Sequence, residues 1–211
     1  MESQIVSYCR ISNEKIVVDG EIILSNSEHK SGGEFLSEAY RTLELGYAKF
    51  FKMDLLCKLG IIASELVLRR TAKFNFDKTK TGMIFANRSS SLDTDRTHAA
   101  SIADKQHYFP SPSVFVYTLP NIVTGEIAIK HGLTGENAFF ISDRFDGSLF
   151  SNYAQVLFAG PTETLLCGWV EAEGGTLDGL VYSVKKTIFG PSDAAKSVAH
   201  EIEQINKLYA I

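Results

Sequence analysis

Three cysteines, five histidines and one acidic pair are the residues of this chain whose types could carry covalent, proton-transfer or metal chemistry. Cys9, Cys57 and Cys167 form neither a CxxC spacing nor an even set. Such usage speaks against a zinc centre and for a reducing compartment. Cys57 borders an apolar stripe and Cys167 lies in Leu165-Leu166-Cys167-Gly168-Trp169, so both are expected to pack as inert core thiols, leaving Cys9 as the most exposed one. His29, His98, His107, His131 and His200 are scattered, and none stands in an HExxH or an equivalent pair. Asp93-Thr94-Asp95 looks like a metal pair, but acidic residues are expected in the first turn of a helix from the macrodipole alone. There is no GxSxG, P-loop or GxGxxG, and Gly32-Gly33 and Gly174-Gly175 read as turns. No self-sufficient active site and no bound metal or cofactor are expected.

The totals narrow the function further. A chain of 211 residues suits one domain, residues 1–211, with room for a real core. Its formal net charge of -4 offers no basic field for a phosphate backbone, so nucleic acid is excluded as an expected partner. No apolar run approaches about 18 residues, so no membrane span is expected. The opening MESQIVSYCR carries Glu2 and lacks an apolar run, so it does not read as a secretory signal, and the cytoplasm is the expected location.

The elements that must position these residues follow from pattern. Gln4–Tyr8 and Lys15–Leu24, with turn signals at Ser12-Asn13 and Asp19-Gly20, predict a β-hairpin or a pair of short strands. A polar loop to Gly33 precedes a short helix with Phe35, Ala39 and Leu43 at helical spacing. Asp54 then stands as N-cap before Leu55, Leu59, Ile62 and Leu66, which predict an amphipathic helix with Glu65 and Arg69 paired on its solvent face. Thr81–Asn87 reads as a buried strand, and Ser89-Ser90-Ser91 as capping hydroxyls for a helix over Leu92–Lys105. Leu149, Tyr153, Val156 and Leu157 predict a helix ending at Gly160-Pro161. Thr164–Ala172 and Leu180–Thr187 predict antiparallel strands, and Val198, Ile202, Ile205 and Tyr209 one face of a helix begun near Ser192.

The stretch Pro110–Asp146 is the centre of this plan. Pro120 sets the first turn of a helix carrying Ile122, Ile127, Ala128 and Ile129, and Gly132 marks its end. Gly125 inside it costs about 1 kcal/mol against Ala, so a neighbouring backbone packed against Thr124, Gly125 and Ala128 is the expected compensation. Gly135 opens a turn into Ala138–Ser142, a short buried strand. Strands alternating with helices and a closing hairpin predict an α/β layered fold.

Pro120, Asn121, Gly125, Ile127, Ala128, Ile129, Gly132, Leu133 and Gly135, together with Phe51, Met53 and Asp54, resemble the β-ketoacyl synthase branch of the thiolase-like superfamily. The resemblance spans residues 47–187 and implies the N-terminal half of that fold: a mixed, mostly parallel sheet of about five strands with helices packed on it. Members of the family place the nucleophilic Cys at the strand-to-helix turn, where this chain has Arg144, or Phe145 if the alignment slips by one. A guanidinium stays protonated and has no acceptor lone pair, so Arg144 cannot attack a thioester. It can pair a carboxylate or a phosphopantetheine phosphate, and an ion pair with Asp143 or Asp146 is the simplest expectation. The two catalytic histidines of the family belong to a half for which this chain has no room.

What the resemblance implies is a non-catalytic subunit, similar to a chain-length factor, that pairs with an active ketosynthase in fatty acid, polyketide or aryl-polyene elongation. A stand-alone homodimer that binds acyl chains or serves a structural role, and one half of a split condensing enzyme, are the alternatives. Acyl carrier protein, with its phosphopantetheine, is then implied only through the partner. Asn121, Thr124, Gly125, Ala128, Phe139, Phe140 and Ile141 are the candidates for the dimer interface or the wall of an acyl tunnel.

Overall fold

A computed structural model describes residues 2–74, 76–104, 106, 108–186 and 198–211. The chain folds as an α/β layered structure with helices on both faces of one mixed sheet. The strands are β1 (Ser3–Ser12), β2 (Lys15–Val18), β3 (Glu21–Ser25), β4 (Thr81–Asn87), β5 (Asn137–Ile141), β6 (Thr164–Glu173), β7 (Thr176–Lys186) and β8 (Val198–Ala199). They run in the order β3-β2-β1-β7-β6-β4-β5, with β8 also on β1. Parallel pairing joins β4 to β5 and to β6, and the remaining pairings are antiparallel. Among the described residues the sheet has eight strands rather than about five, in part because Asp19-Gly20 folds Lys15–Leu24 back on itself and β8 adds to β1. The resulting β1–β3 meander then docks its β1 on β7.

One face carries α1 (Gly32–Thr42), α2 (Leu55–Thr71) and α5 (Ile122–His131), with α3 (Leu92–Ile102) and α4 (Pro112–Val116) alongside. The other carries α6 (Gly147–Phe158) and α7 (Ile202–Tyr209). Strand alternation splits the core accordingly. Met83, Phe85, Leu166, Val170 and Val181 meet α2, whereas Ile84, Ala86, Cys167, Trp169, Leu180 and Tyr182 meet α6 and α7. Because β4, β6 and most of β7 are covered on both sides, they read as continuous apolar runs rather than alternating ones.

Several local expectations need correction. Helix α2 starts at the predicted cap, with the Asp54 carboxylate accepting from Cys57 N at 2.9 Å, but it is buried on nearly every side. It is a central helix, not an amphipathic surface one. Gly32-Gly33 opens α1 behind a capping box of Ser31 and Glu34 instead of forming a turn. Ser91 stands at the N-cap of α3, but its hydroxyl makes no cap bond and donates to Thr118 O instead, and the helix stops at Ile102. Val198 belongs to β8, not to the last helix, and the predicted start near Ser192 lies outside the described residues. Cys9, expected as the exposed thiol, is fully buried between β1 and α2.

The expected close approach to Gly125 lies elsewhere. An added Cβ at Gly125 would meet nothing within 4 Å, whereas one at Gly60 of α2 would stand 2.2 Å from Val123 Cγ2. The α2–α5 crossing is therefore tightened by Gly60. Gly132 ends α5 as predicted, in the left-handed conformation (φ 70°) that residues with a Cβ adopt rarely.

Candidate functional site

The two parallel neighbours of β4 deliver their C-terminal ends to one rim of the sheet, which is where α/β sheets place ligands. At that rim the β5–α6 turn runs Ser142-Asp143-Arg144-Phe145-Asp146. Its backbone is held at several points. Ser142 N donates to Asn87 O at 2.9 Å, and Ser142 Oγ donates to Arg144 O at 3.0 Å. Asp146 caps α6 by accepting from Ser148 N and Ser148 Oγ, both at 2.8 Å, bonds that hold its carboxyl below the usual carboxylate range.

Phe145 turns inward. Its ring stacks on Tyr209 of α7 with centroids 4.0 Å apart and planes 11° off parallel, lies against Phe150 at 5.8 Å, and meets Trp169 edge-on at 6.0 Å. Behind it a polar network closes the pocket. Tyr209 Oη donates to Asp178 Oδ2 at 2.5 Å, Trp169 Nε1 donates to the same oxygen at 3.2 Å, and Arg10 pairs with Asp178 Oδ1 at 2.8 Å while lying over the Tyr209 ring. Burial, with the bond to Asp178 next, pushes the Tyr209 hydroxyl well above its usual range, so it stays a donor. The turn thus holds no cysteine and encloses a packed aromatic ring.

Arg144 turns outward. It is exposed, and neither Asp143 nor Asp146 forms the expected ion pair with it among the described residues. The Asp146 carboxylate caps the helix and also feels the Arg144 charge, which helps the Ser148 bonds to lower it.

The thiols fit the same picture. Cys9, Cys57 and Cys167 are free and buried, and burial is the leading cause that raises each, Cys167 to about 12. A thiol held protonated in this way is a poor nucleophile. No group of three His, Cys, Asp or Glu side chains is arranged to hold a metal among the described residues. Asp93 accepts from Gly174 N at 2.7 Å and pairs with Arg96, so it ties α3 to the β6–β7 turn, while Asp95 lies 3.2 Å from Ser91 Oγ at the helix start.

Strand β5 is one of the two edge strands of the sheet, opposite β3, and among the described residues it pairs only with β4. It is half-exposed, not buried as its apolar sequence suggests, because among the described residues no strand pairs with its outer edge. Phe139 packs toward α2 and α5, Phe140 meets Tyr153 of α6 edge-on at 5.1 Å, and Ile141 is 56% exposed. On α5, Gly125 is open, Ala128 half-buried and Ile129 71% exposed, while Asn121 is an exposed cap residue without a side-chain bond. Thr124 points inward and holds α5 in place, donating to Asn121 O at 2.8 Å and reaching Asn137 Oδ1 at 3.3 Å. Phe115, Val116 and Leu119 add exposed apolar surface in the segment leading into α5. Pro120 sits in the turn ahead of that helix, which begins at Ile122.

Beneath α5 lies a charged cluster that pattern reasoning misread. Glu65, expected on a solvent face, is 8% exposed. It pairs with Lys130 at 2.7 Å and Arg69 at 2.6 Å, the His131 ring lies 3.4 Å away, and Arg69 donates onward to Leu43 O and Glu44 O. Burial pushes the Glu65 carboxyl up, but the bonds from Lys130 and Arg69 outweigh it and leave the group below its usual range. Glu126 of α5, also buried, accepts from Tyr47 at 3.0 Å and pairs with Lys49. Both clusters fix α5 against α2 and the segment before it. The signal that could have placed Glu65 inside is that α2 offers apolar residues around its whole circumference.

Comparison with known proteins gives the fold. No protein-family model and no curated protein matches the sequence. Among solved structures, the chain is similar to the ishigamide ketosynthase/chain length factor, with a TM-score of 0.63 and 17% identity over 90% of this chain and 64% of that one. It is similar to a type II polyketide synthase ketosynthase solved with its acyl-carrier protein, with a TM-score of 0.64 and 12% identity over 88% of this chain and 62% of that one. The ketosynthase ApeO in complex with its chain length factor ApeC from Xenorhabdus doucetiae matches at a TM-score of 0.59 and 14% identity, over 100% of this chain and 91% of that one. The chain spans less than two thirds of the first two. Its fold is that of the ketosynthases and their chain length factors.

Proposed function

We propose that this chain, having the ketosynthase fold, is a non-catalytic single-domain subunit that pairs with an active β-ketoacyl-ACP synthase and acts as a chain-length factor does in polyketide, aryl-polyene or fatty acid elongation. The observation that carries the reading is the β5–α6 turn, where Phe145 is locked beneath Tyr209 and Arg144 faces out at the place where the family carries its nucleophile. A chain that kept the scaffold and filled the turn with a packed ring has given up acyl transfer at that turn.

The surface supports the same reading. An unpaired strand edge bordered by Ile141, Ile129 and Gly125 is unfavourable in water and suited to a partner with the same strand on its own edge. Asn121, Gly125, Ala128, Phe139, Phe140 and Ile141 then contribute to the interface or line the acyl path, with Thr124 behind them. The matched chain of the ApeO–ApeC complex is close to this one in length, which supports a short partner subunit. Acyl carrier protein, with its phosphopantetheine, engages the complex through the active subunit, in the cytoplasm.

The test is co-purification from the native host with mass identification, followed by size-exclusion chromatography of the recombinant chain with and without the ketosynthase recovered. A 1:1 complex with a Cys-bearing ketosynthase supports the proposal. A stable homodimer retaining lipid would favour the stand-alone acyl-binding protein, which the same free edge would serve by pairing with a second copy. Acyl transfer onto a thiol of this chain would favour a split condensing enzyme, a reading the three buried thiols disfavour.

A further inference from the structure

We propose that β8 and α7 form a detachable strap over the β5–α6 turn and that His200 is its acid-sensitive latch. The inference concerns this chain alone and stands apart from the proposed pairing.

Residues 198–211 are held by few side chains. Only His200 and Ile205 of this segment are buried, whereas β6 and β7 beneath it are covered along most of their length. A segment with so little buried surface opens at a lower free energy than the sheet it rests on. The strap is nevertheless seated in one place. His200 N donates to Ser3 O at 3.0 Å, and α7 lies over Gly147, where an added Cβ would stand 2.6 Å from Asn206 Oδ1. At its far end Tyr209 closes over Phe145, so lifting the strap uncovers that ring and the Trp169 indole beside it.

His200 is the part of this attachment that acid can break. Its ring lies between Ser3 Oγ of β1 and Tyr182 Oη of β7, each 3.4 Å away, at the far end of hydrogen-bond range. Tyr182 is fully buried, and burial keeps its hydroxyl protonated. Lys186 of β7, in register with Ser3, turns its ammonium to Phe158 O at the end of α6. A cleft of about 630 Å3 borders the ring, lined by Glu2, Glu201 and Glu203, while α6 contributes only the uncharged Ser151 and Gln155. An imidazolium is disfavoured in the closed site, where burial lowers His200 to about 4, and gains water and three carboxylates by leaving for the cleft. Because His200 stands where β8 gives way to α7, its departure removes one of the two buried side chains that hold the segment.

The sign follows from the two states. The released ring takes up its proton near pH 6.5 and the latched ring only near 4, so the strap is fully latched above 6.5. Its open population rises as pH falls between these values, by up to about tenfold per pH unit.

The test is hydrogen exchange of the full chain from about pH 4.5 to 7.5, read by mass spectrometry and corrected for the intrinsic rate. Emission of Trp169, the single tryptophan, is recorded in parallel. Protection of residues 198–211 is expected to fall by up to about tenfold per pH unit below 6.5 while β6 and β7 stay protected, with the Trp169 emission changing alongside. His200→Asn, which cannot take up the proton, is expected to show strap protection without this dependence. Joint loss of protection in the strap and in β6 and β7 would overturn the inference, because the segment would then belong to the global unfolding unit. Strap protection that ignores pH would overturn it too, as would an unchanged pH dependence in His200→Asn. The native chain alone decides the first two of these outcomes, so the inference can be refuted even where the variant fails to fold.

Discussion

Phe145 and Tyr209 stack face to face at 4.0 Å, joining the turn after the edge strand to the last helix of the chain. Residues far apart in sequence thereby enclose the ring of Phe145. Tyr209→Ala removes the stack, the bond to Asp178 and the surface under Arg10, and is expected to destabilise the chain by about 3 kcal/mol, measured by urea denaturation. Tyr209→Phe keeps the stack and should cost about 1 kcal/mol, the worth of the lost hydrogen bond.

Thiol chemistry should be silent in the folded state. Native protein mixed with an acyl thioester is expected to show no covalent adduct by intact mass. Iodoacetamide should label Cys9, Cys57 and Cys167 only after denaturation, because burial disfavours the thiolate at each. Fast labelling of any one of them in the folded chain would contradict their assignment as packing groups.

Two glycines separate fold from interface. Gly60→Val drives a branched side chain into Val123 and should destabilise by about 2 kcal/mol or more, read from the melting transition. Gly125→Ala meets nothing in the isolated chain and should stabilise it by up to about 1 kcal/mol through helix propensity. Gly125→Trp should leave the melt close to native yet block association with the ketosynthase partner, which chromatography of the mixture reads directly.

Acid should weaken the fold in a defined window. His200 sits buried between Ser3 Oγ and Tyr182 Oη, each 3.4 Å away, and burial lowers it from 6.5 to about 4. Because the unfolded chain takes up this proton near pH 6.5 and the folded chain only near 4, stability is fully present above 6.5. It falls as pH drops toward 4, with a slope approaching about 1.4 kcal/mol per pH unit for one proton. His131, lowered to about 4 chiefly by burial, adds in the same direction. His200→Asn should flatten the profile measured by denaturation between pH 4 and 7.

Breaking the Glu65 cluster should be costly despite its charge. Glu65→Ala leaves Lys130 unpaired in a nearly buried space, whereas the half-exposed Arg69 can turn to water, and a loss of about 3 kcal/mol is expected from equilibrium unfolding. Glu65 also lies below its usual range when folded, so its contribution is present at neutral pH and lost in acid as the carboxylate is protonated.

How much of this was legible in the residues differs from element to element. The Asp54 cap of α2, the Gly132 stop of α5, the Gly174-Gly175 turn and the β6–β7 hairpin are written locally, because capping hydrogen bonds and left-handed turns depend on a few adjacent residues. The motif around Pro120 and Gly135 pointed to the ketosynthase fold, which the similarity to solved structures bears out. Local pattern could not report what each element meets. It took α2 for a surface helix with Glu65 in solvent, took β5 for a buried strand, and assigned to Gly125 the close approach that Gly60 makes. Cys9 in the core, the carboxylate network under α5 and the Tyr209 lid on Phe145 depend on contacts between residues widely separated in the chain. Periodicity marks which side of an element is apolar, whereas the order of strands and the layers above and below them decide whether that side is covered, and only the folded chain contains that order.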